Sequence, residues 1–254
     1  MKKILVIGDS HTSKIGNCVP DVFFLKNRKL EYQYSEQNYV THMLEDGRDI
    51  WLKDYLKTHE DKDLQIWMSS HPGRSALNFD FENFASGTQK GQLDEWNEPG
   101  RVVVPWLGYI DIRNWLPQTS LPGYINAKEV VSRYIDNALN KFDKCEVIFM
   151  EPLPQFICFI TNGWVENRSD PDIEFEKRHE QHLLFIDELK KQCLERGLRE
   201  PINTRDIIGD DMIEPYKQPK KPINIFLNDH MKQEYYEPIV NYLATTLAID
   251  DIKQ

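Results

Sequence analysis

The sequence predicts an α/β fold, a three-layer α/β/α sandwich built on a mostly parallel sheet. Short apolar runs rich in β-branched residues recur along the chain, and amphipathic helical patterns lie between them. Strands that alternate with helices form parallel sheets whose two faces are covered. No repeat, linker or shift in composition divides the chain, so we expect a single domain over residues 1–254.

The predicted strands are short and end at small or polar residues. The first is the apolar run 4–7, which stops at Gly8. The others lie at 64–68, 101–107 and 145–150, with a weaker fifth strand near 204–208. Pro105 lacks a backbone donor, so we expect the third strand to end or bulge there.

Three helices are predicted from capping residues and apolar stripes. The first begins after Asn126, which precedes an apolar stripe of helical spacing. The second is long: Asp170 and Pro171 are typical of its start, and Gly197 is typical of its end. The last helix spans about residues 232–247.

Composition and charge exclude several classes of protein. Apolar residues make up 40% of the chain, which indicates a globular protein, and the net charge of −10 argues against broad binding to nucleic-acid phosphates. No apolar run is long enough for a membrane span or a signal peptide. The four cysteines are widely spaced, without a metal-binding pattern. We therefore expect a cytoplasmic protein with reduced thiols and no metal or cofactor.

Residues of types that are common in catalytic sites follow the predicted strands and precede the last helix. They are Gly8-Asp9-Ser10 after the first, Gly73 after the second, Gly108-Tyr109-Ile110-Asp111 after the third, and Asn228-Asp229-His230 before the last helix. Ligands and catalytic groups gather at the carboxyl ends of strands in open α/β sheets. A serine on such a turn is placed as a nucleophile, histidine is a suitable base, and a carboxylate orients that base. The alternative is an ordinary turn in which Asp9 or Ser10 caps a helix.

This ordered set of blocks resembles the SGNH, or GDSL-type, hydrolase family. The resemblance implies a flavodoxin-like sandwich and the hydrolysis of esters, often of acyl groups on sugars or lipids. It implies that Ser10 is the nucleophile, that the Gly73 amide binds the oxyanion, and that His230 is the base. The first block is close to the family pattern in full.

Two positions depart from the family pattern. The third block of the family usually reads Gly-x-Asn-Asp, and its Asn helps to bind the oxyanion, but Ile110 stands at that position and cannot donate. Losing one such donor typically costs about 10²–10³ in rate. In the last block, Leu227 replaces the Asp that normally lies three residues before the His. Either Asp229 or Asp111 is therefore left to orient His230.

Four further residues near these blocks are candidate substrate contacts, namely Asp9, His11, Gly108 and Arg113. An arginine at that position would bind a carboxylate or phosphate group of the substrate. Three candidates have an alternative without function: His11 as the start of a helix, Arg113 as a solvated surface residue, and Asp111 of the third block as a buried structural carboxylate or a helix cap.

The sequence thus predicts a serine esterase that acts on an O-acyl ester of a small molecule or carbohydrate, for example an O-acetyl group. The alternative is a binding protein for a carbohydrate or other small ligand that keeps the fold but has lost full catalysis, which Ile110 permits. A phosphate-binding α/β protein is disfavoured because no Gly-rich phosphate loop follows any strand. The acyl group, the alcohol and the oligomeric state are left open.

Overall fold

A computed structural model gives the positions of the elements that build the sheet and its flanking helices. The structure describes residues 2–9, 11–12, 22–24, 51–55, 64–70, 75–77, 93–94, 96–119, 122–153, 171–208, 226–227, 230–231 and 236–249. The strands are β1 Lys2–Gly8, β2 Val22–Phe24, β3 Trp51–Tyr55, β4 Leu64–Ser70, β5 Arg101–Trp106, β6 Glu146–Val147, β7 Phe226–Leu227 and β8 His230–Met231. The helices are a π-helix Asp111–Trp115, α1 Ala127–Lys141, α2 Pro171–Glu195, α3 Thr204–Ile208 and α4 Glu237–Ile249.

The main sheet is mostly parallel. In the described part of the chain, six strands form it in the order β2-β3-β4-β1-β5-β6. Strand β1 pairs in parallel with β4 and with β5, and β5 pairs in parallel with β6. Strands β2 and β3, which the sequence did not predict, add antiparallel pairs at one edge. The predicted α/β fold class is confirmed.

Strand β1 occupies the centre of this sheet and carries the first polar block at its end. Its last residue, Gly8, is in register with Ser70 of β4 and with Trp106 of β5. The chain first adds β4 on one side of β1 and then crosses to add β5 on the other side. A crevice for ligands opens beyond the carboxyl ends of strands at such a reversal of strand order. The turn that follows Gly8 begins at this crevice.

Both faces of β1 are covered. Leu5 and Ile7 belong to a core that includes the buried faces of α1 and α2. Successive side chains of a strand point to opposite faces, so Ile4 and Val6 lie on the other side, where they are also fully buried. Helix α4, whose buried residues are outside that first core, contacts β4. The result is the predicted arrangement of helix, sheet and helix layers.

Helix α1 confirms its predicted cap. The side chain of Asn126 accepts a hydrogen bond from the Glu129 backbone N–H at 3.0 Å. This bond satisfies one of the amide groups that a helix start leaves without an internal partner. The predicted apolar stripe lies on the buried face of the helix: five of its six residues are buried and Leu139 is partly buried, the five being Val130, Val131, Tyr134, Ile135 and Ala138.

Helix α2 also begins and ends where the sequence predicts. It starts at Pro171, and Gly197 ends it in the left-handed conformation, with φ +69°. The Leu198 backbone N–H then donates to the Cys193 carbonyl oxygen at 2.9 Å, a capping bond typical of a glycine-terminated helix. Helix α4 covers Glu237–Ile249, while residues 232–235 of its predicted start lie outside the described residues. None of the described helices combines the length and apolar character of a bilayer span.

The predicted fifth strand at 204–208 is wrong, because these residues form helix α3. The side-chain oxygen of Asn203 accepts hydrogen bonds from the backbone N–H groups of Arg205, at 3.0 Å, and Asp206, at 3.4 Å. An asparagine cap of this kind favours a helix over an extended segment. Only Ile202, just before this helix, makes a parallel bridge, and its partner is Met150.

Two strand boundaries differ from prediction. Strand β5 continues through Pro105 to Trp106 without a register shift against β1. Pro105 still accepts a hydrogen bond at its carbonyl oxygen from the Met150 N–H at 3.0 Å. Strand β6 is shorter than its predicted range and covers only Glu146–Val147, although residues up to Met150 keep hydrogen bonds to β5.

Position 108, two residues after β5, requires glycine for two reasons, the backbone conformation and the lack of space for a side chain. Its φ of +116° lies in the range that favours glycine, and a Cβ built on it would be 2.6 Å from the Phe185 ring. Phe185 is fully buried on α2. The backbone of the third polar block is therefore pressed directly onto this helix.

We expect Gly108→Ala to destabilise the protein by roughly 3 kcal/mol, because the methyl group adds both backbone strain and an overlap with Phe185. The matched control is Gly123→Ala, since Gly123 has a φ of +75° but nothing within 4 Å of an added Cβ. That control should lose only about 1 kcal/mol. Urea unfolding of both variants measures the difference. Equal losses would contradict the proposed contact with Phe185.

Candidate active site

The turn that follows β1 is held by Asp9. Its carboxylate is buried, and Oδ1 accepts a hydrogen bond from the His11 backbone N–H at 2.9 Å. The Thr12 N–H donates to the Asp9 carbonyl oxygen at 3.1 Å. Asp9 therefore caps the helical turn at residues 11–12, which is the structural alternative that the sequence left open. Its contact with a substrate stays a prediction.

Gly8 lets this turn fold back onto the end of the sheet. A Cβ at Gly8 would overlap both the carbonyl oxygen of Trp106 and the side-chain oxygen Oγ1 of Thr12. Thr12 is fully buried, and Trp106 lies on the neighbouring strand. The glycine of the first block is thus needed for close approach between the turn and β5.

His11, the residue after the candidate nucleophile, is buried among aromatic rings. Its Nδ1 lies 2.8 Å from the Tyr236 hydroxyl oxygen, with which it shares a hydrogen bond. The Tyr109 ring meets the imidazole edge-on at a centroid distance of 4.5 Å, and the Trp106 ring is 6.1 Å away. These rings come from the end of β5, the third block and the residue before α4. His11 therefore joins three segments that are distant in sequence.

The third polar block forms a π-helical turn. The Leu116 N–H donates to the Asp111 carbonyl oxygen at 2.9 Å, and the Ile112 N–H donates to the Gly108 carbonyl oxygen at 3.0 Å. Ile110 precedes this turn in a helical conformation. π-Helical turns are rare in proteins, and a large share of those that occur are at functional sites. The block that departs from the family pattern in sequence thus also has an unusual backbone.

Asp111 links this turn to the chain beyond β4. It is fully buried, and its Oδ2 and Oδ1 accept hydrogen bonds from the backbone N–H groups of Ala76, at 2.6 Å, and Leu77, at 3.1 Å. Burial raises the pKa of Asp111 to about 6, although the hydrogen bonds from these amides oppose the rise. Asp111 therefore has the structural contacts of a carboxylate that ties two loops together.

Glu151 is a second buried carboxylate at the same edge of the sheet. Burial raises its pKa to about 7, and Arg205, whose guanidinium lies 3.5 Å from the carboxylate, opposes that rise. The Glu151 carbonyl oxygen accepts a hydrogen bond from the Trp106 indole at 2.9 Å. Sequence analysis did not select Glu151 as a site residue. Its only signal there is its position just after the fourth predicted strand.

Five of the described candidate residues follow the carboxyl ends of two neighbouring strands, β1 and β5. They are Asp9, His11, Gly108, Asp111 and Arg113. Arg113 is half-buried, and its carbonyl oxygen accepts a hydrogen bond from Arg178 at 3.1 Å. Ser10, Gly73 and Asp229 lie outside the described residues, so their roles stay predictions.

Tyr236, which follows the last block in the sequence, contacts the turn after β1 through His11. His230 is described by its backbone in β8, where it pairs with Leu227 of β7. Tyr236 follows six residues later in the sequence and is fully buried. Tyr236 lies within the last helix predicted from the sequence at 232–247, but its bond with His11 was not predicted. No spacing rule indicates the partner of a hydroxyl group that is 225 residues away.

Comparison with known proteins identifies the fold. No protein-family model matches the chain, and no curated protein matches its sequence. A solved member of the lipolytic G-D-S-L family from Veillonella parvula is similar, with 13% identity over 98% of this chain and 100% of that chain and a TM-score of 0.50. An α/β hydrolase from the metagenome of Lake Arreo, Spain, has 15% identity over 97% and 95% and a TM-score of 0.51.

An acetylxylan esterase from Geobacillus stearothermophilus is similar over 95% of this chain and 92% of that chain, with 13% identity and a TM-score of 0.50. Identities this low relate the folds alone. The chain therefore has the α/β fold of the SGNH, or GDSL-type, hydrolases.

We expect Tyr236→Phe to lower the free energy of unfolding by about 1–2 kcal/mol, because it removes the hydrogen bond to the buried His11 imidazole. Tyr242→Phe is the matched control, since Tyr242 lies on α4, the helix that Tyr236 directly precedes, and is only half-buried. Chemical denaturation of both variants measures the effect. If the two variants were equally stable, the bond between His11 and Tyr236 would make no net contribution.

We expect the protein to lose stability as the pH rises from about 4.5 to about 7, the ordinary and folded-state pKa values of Glu151. The folded state holds this proton over that window while the unfolded state has released it, so ionisation at higher pH removes up to roughly 3 kcal/mol. Asp111 acts in the same direction between 3.8 and about 6. Glu151→Gln should flatten the pH profile of the thermal midpoint, whereas the exposed Glu146→Gln should leave its slope unchanged.

Proposed function

We propose that this chain is a serine esterase that hydrolyses an O-acyl ester of a small molecule or carbohydrate. In this proposal Ser10 is the nucleophile, and His230 is the general base and then the general acid. The fold of GDSL-type hydrolases and the Gly8-Asp9-Ser10 turn at the carboxyl end of the central strand support it. The similar structures align with 95–98% of the chain, which supports one domain over residues 1–254.

The hydrogen bond between His11 and Tyr236 is the observation that carries the proposal. It joins the residue after Ser10 to a residue six positions after His230. Six residues span at most about 20 Å, so this bond limits how far the His230 backbone lies from the turn after β1. Sequence alone gives no reason for the two ends of the chain to meet at this turn. A triad of Ser10 and His230 gives such a reason.

The chemistry follows from the residue types. The Ser10 hydroxyl attacks the acyl carbonyl carbon while His230 accepts its proton. The tetrahedral intermediate then collapses, the alcohol leaves with a proton from His230, and the acyl group remains on Ser10. Water, deprotonated by His230, attacks this acyl-enzyme, and the carboxylic acid is released as Ser10 regains its proton.

The developing oxyanion needs donors that are already in position. The backbone amides of Ser10 and Gly73 fill this role in the proposal. The third block does not supply the usual Asn amide, because Ile110 stands there. We therefore expect a slower enzyme than one with a complete third block, by up to about 10²–10³-fold.

The substrate class is proposed from the solved structures to which the chain is similar and from the aromatic rings around His11. The net charge of −10 argues against a polyanionic substrate. The similar protein from Geobacillus stearothermophilus is an acetylxylan esterase, which guides the first compounds to screen. Small acetyl esters and O-acetylated xylooligosaccharides are the appropriate first set, with longer acyl chains for comparison.

We expect a fluorophosphonate probe to label Ser10, because the probe reacts with activated serines whatever their natural substrate. Ser10→Ala should abolish the adduct, and His230→Ala should slow its formation by roughly 10⁴-fold or more. Mass spectrometry of the labelled peptides identifies the modified residue. Ser13→Ala and His179→Ala are matched controls that should label like the wild type.

An adduct on Ser10 that depends on His230 would establish the activated serine and justify the substrate screen. An adduct on another serine, or one that persists in His230→Ala, would refute the assignment of the triad. A folded wild type that forms no adduct and hydrolyses no acetyl ester would refute the esterase. A rise in melting temperature with acetylated or free xylooligosaccharides would then favour the carbohydrate-binding protein.

A further inference from the structure

The carboxylate of Asp111 accepts hydrogen bonds from the chain that follows β4. Its two oxygens accept the backbone N–H groups of Ala76 and Leu77, and the Ser75 hydroxyl also bonds to it. Asp111 is fully buried and Ser75 nearly so. Hydrogen bonds from amides to an ionised carboxylate are short and strong, which agrees with the 2.6 Å distance to Ala76. Three donors from three consecutive residues therefore converge on one side chain.

This cluster connects the two loops that flank the turn after β1. Asp111 begins the π-helix beyond β5, while Ser75, Ala76 and Leu77 follow β4. Strand β4 itself ends at Ser70, in register with Gly8. Ser70 is thus held by the sheet, and residues 75–77 are held by Asp111.

We propose that Asp111 is a positioning residue that holds the backbone at 75–77 and thereby sets the position of the oxyanion donor Gly73, rather than orienting His230. The inference rests on the proposed function. Gly73 precedes Ser75 by two residues in the sequence, so a hold on Ser75 restricts where the proposed oxyanion donor can lie. Asp229, next to His230, is then left as the carboxylate that orients the base.

Position 111 requires a carboxylate because two backbone N–H groups donate to its side chain. An aspartate offers acceptors on both oxygens, whereas an asparagine turns one acceptor into an N–H₂ donor. In Asp111→Asn this donor would face a backbone N–H of Ala76 or Leu77. The substitution keeps the size of the side chain, but one of its two hydrogen bonds to the loop is replaced by a repulsive contact between two N–H donors. The variant therefore tests positioning without opening a cavity.

The first test is hydrogen exchange, which does not depend on activity. The amides of Ala76 and Leu77 should exchange at least about tenfold faster in Asp111→Asn than in the wild type, since each lost charged hydrogen bond changes an opening equilibrium by about that factor or more. Asp136→Asn, an exposed carboxylate on α1, is the matched control and should leave these amides unchanged. Unchanged exchange in Asp111→Asn would overturn the inference.

The second test separates positioning of the oxyanion donor from orientation of the base. For an ester that the wild type hydrolyses, Asp111→Asn should lower kcat by roughly 10²-fold with KM within about twofold, as expected when a donor is misplaced. The pKa of the basic group in the pH profile of kcat/KM should stay unchanged. A fall in that pKa by a unit or more would instead make Asp111 the carboxylate of the triad and overturn the inference.

Ser75→Ala provides a milder variant in case Asp111→Asn does not fold. It removes one neutral donor to Asp111 and should lower kcat in the same direction by roughly two- to tenfold. Accelerated exchange at 75–77 with full activity would refute this inference alone. A wild type that neither labels nor hydrolyses any ester would refute the proposed function and the catalytic consequence of Asp111 with it.

Discussion

The parallel pairing of β1 with β4 and β5 is the constraint on which the candidate site depends. Because β1 is buried on both faces and bonded on both edges, its carboxyl end has one fixed position in the molecule. Gly8 allows the chain to turn there against the Trp106 carbonyl group, and Asp9 caps the turn that follows. Every described polar contact of the candidate site lies on, or connects to, this turn or one of its two neighbouring strand ends.

The edge of the sheet around this turn contains buried groups that carry an unfavourable desolvation cost. The carboxyl groups of Asp111 and Glu151 have raised pKa values because burial disfavours their charged forms. Backbone amides offset the cost for Asp111, and Arg205 offsets part of it for Glu151. Buried polar groups of this kind destabilise the fold relative to an apolar core, and clusters of them with shifted pKa values are typical of functional sites.

The departure at the third block has a structural context. Ile110 cannot replace the amide of an asparagine, yet the following residue, Asp111, keeps the block attached to the chain beyond β4. Gly108 is equally constrained by Phe185, so the backbone of this block is held from two sides. The block therefore has a scaffolding function in this chain, since it ties the end of β5 to α2 and to the chain beyond β4.

The sequence by itself determined the α/β class, the ends of α1 and α2, and the segments that carry β1, β4 and β5. These features depend on local signals, namely the apolar β-branched runs, the Asn126 cap and the Gly197 terminator. Local signals also misled where two of them compete. The apolar residues at 204–208 suggested a strand, but the Asn203 side chain caps a helix there.

Only the tertiary structure decided which distant residues meet. The bond between His11 and Tyr236 joins residues 225 positions apart, and the bonds of Asp111 to Ala76 and Leu77 depend on how the loops after β4 and β5 face each other. Spacing in sequence carries no signal for such pairs, because the order of strands in the sheet brings them together. That order places β1 between β4 and β5, and so brings the carboxyl ends of three separate strands together at one edge.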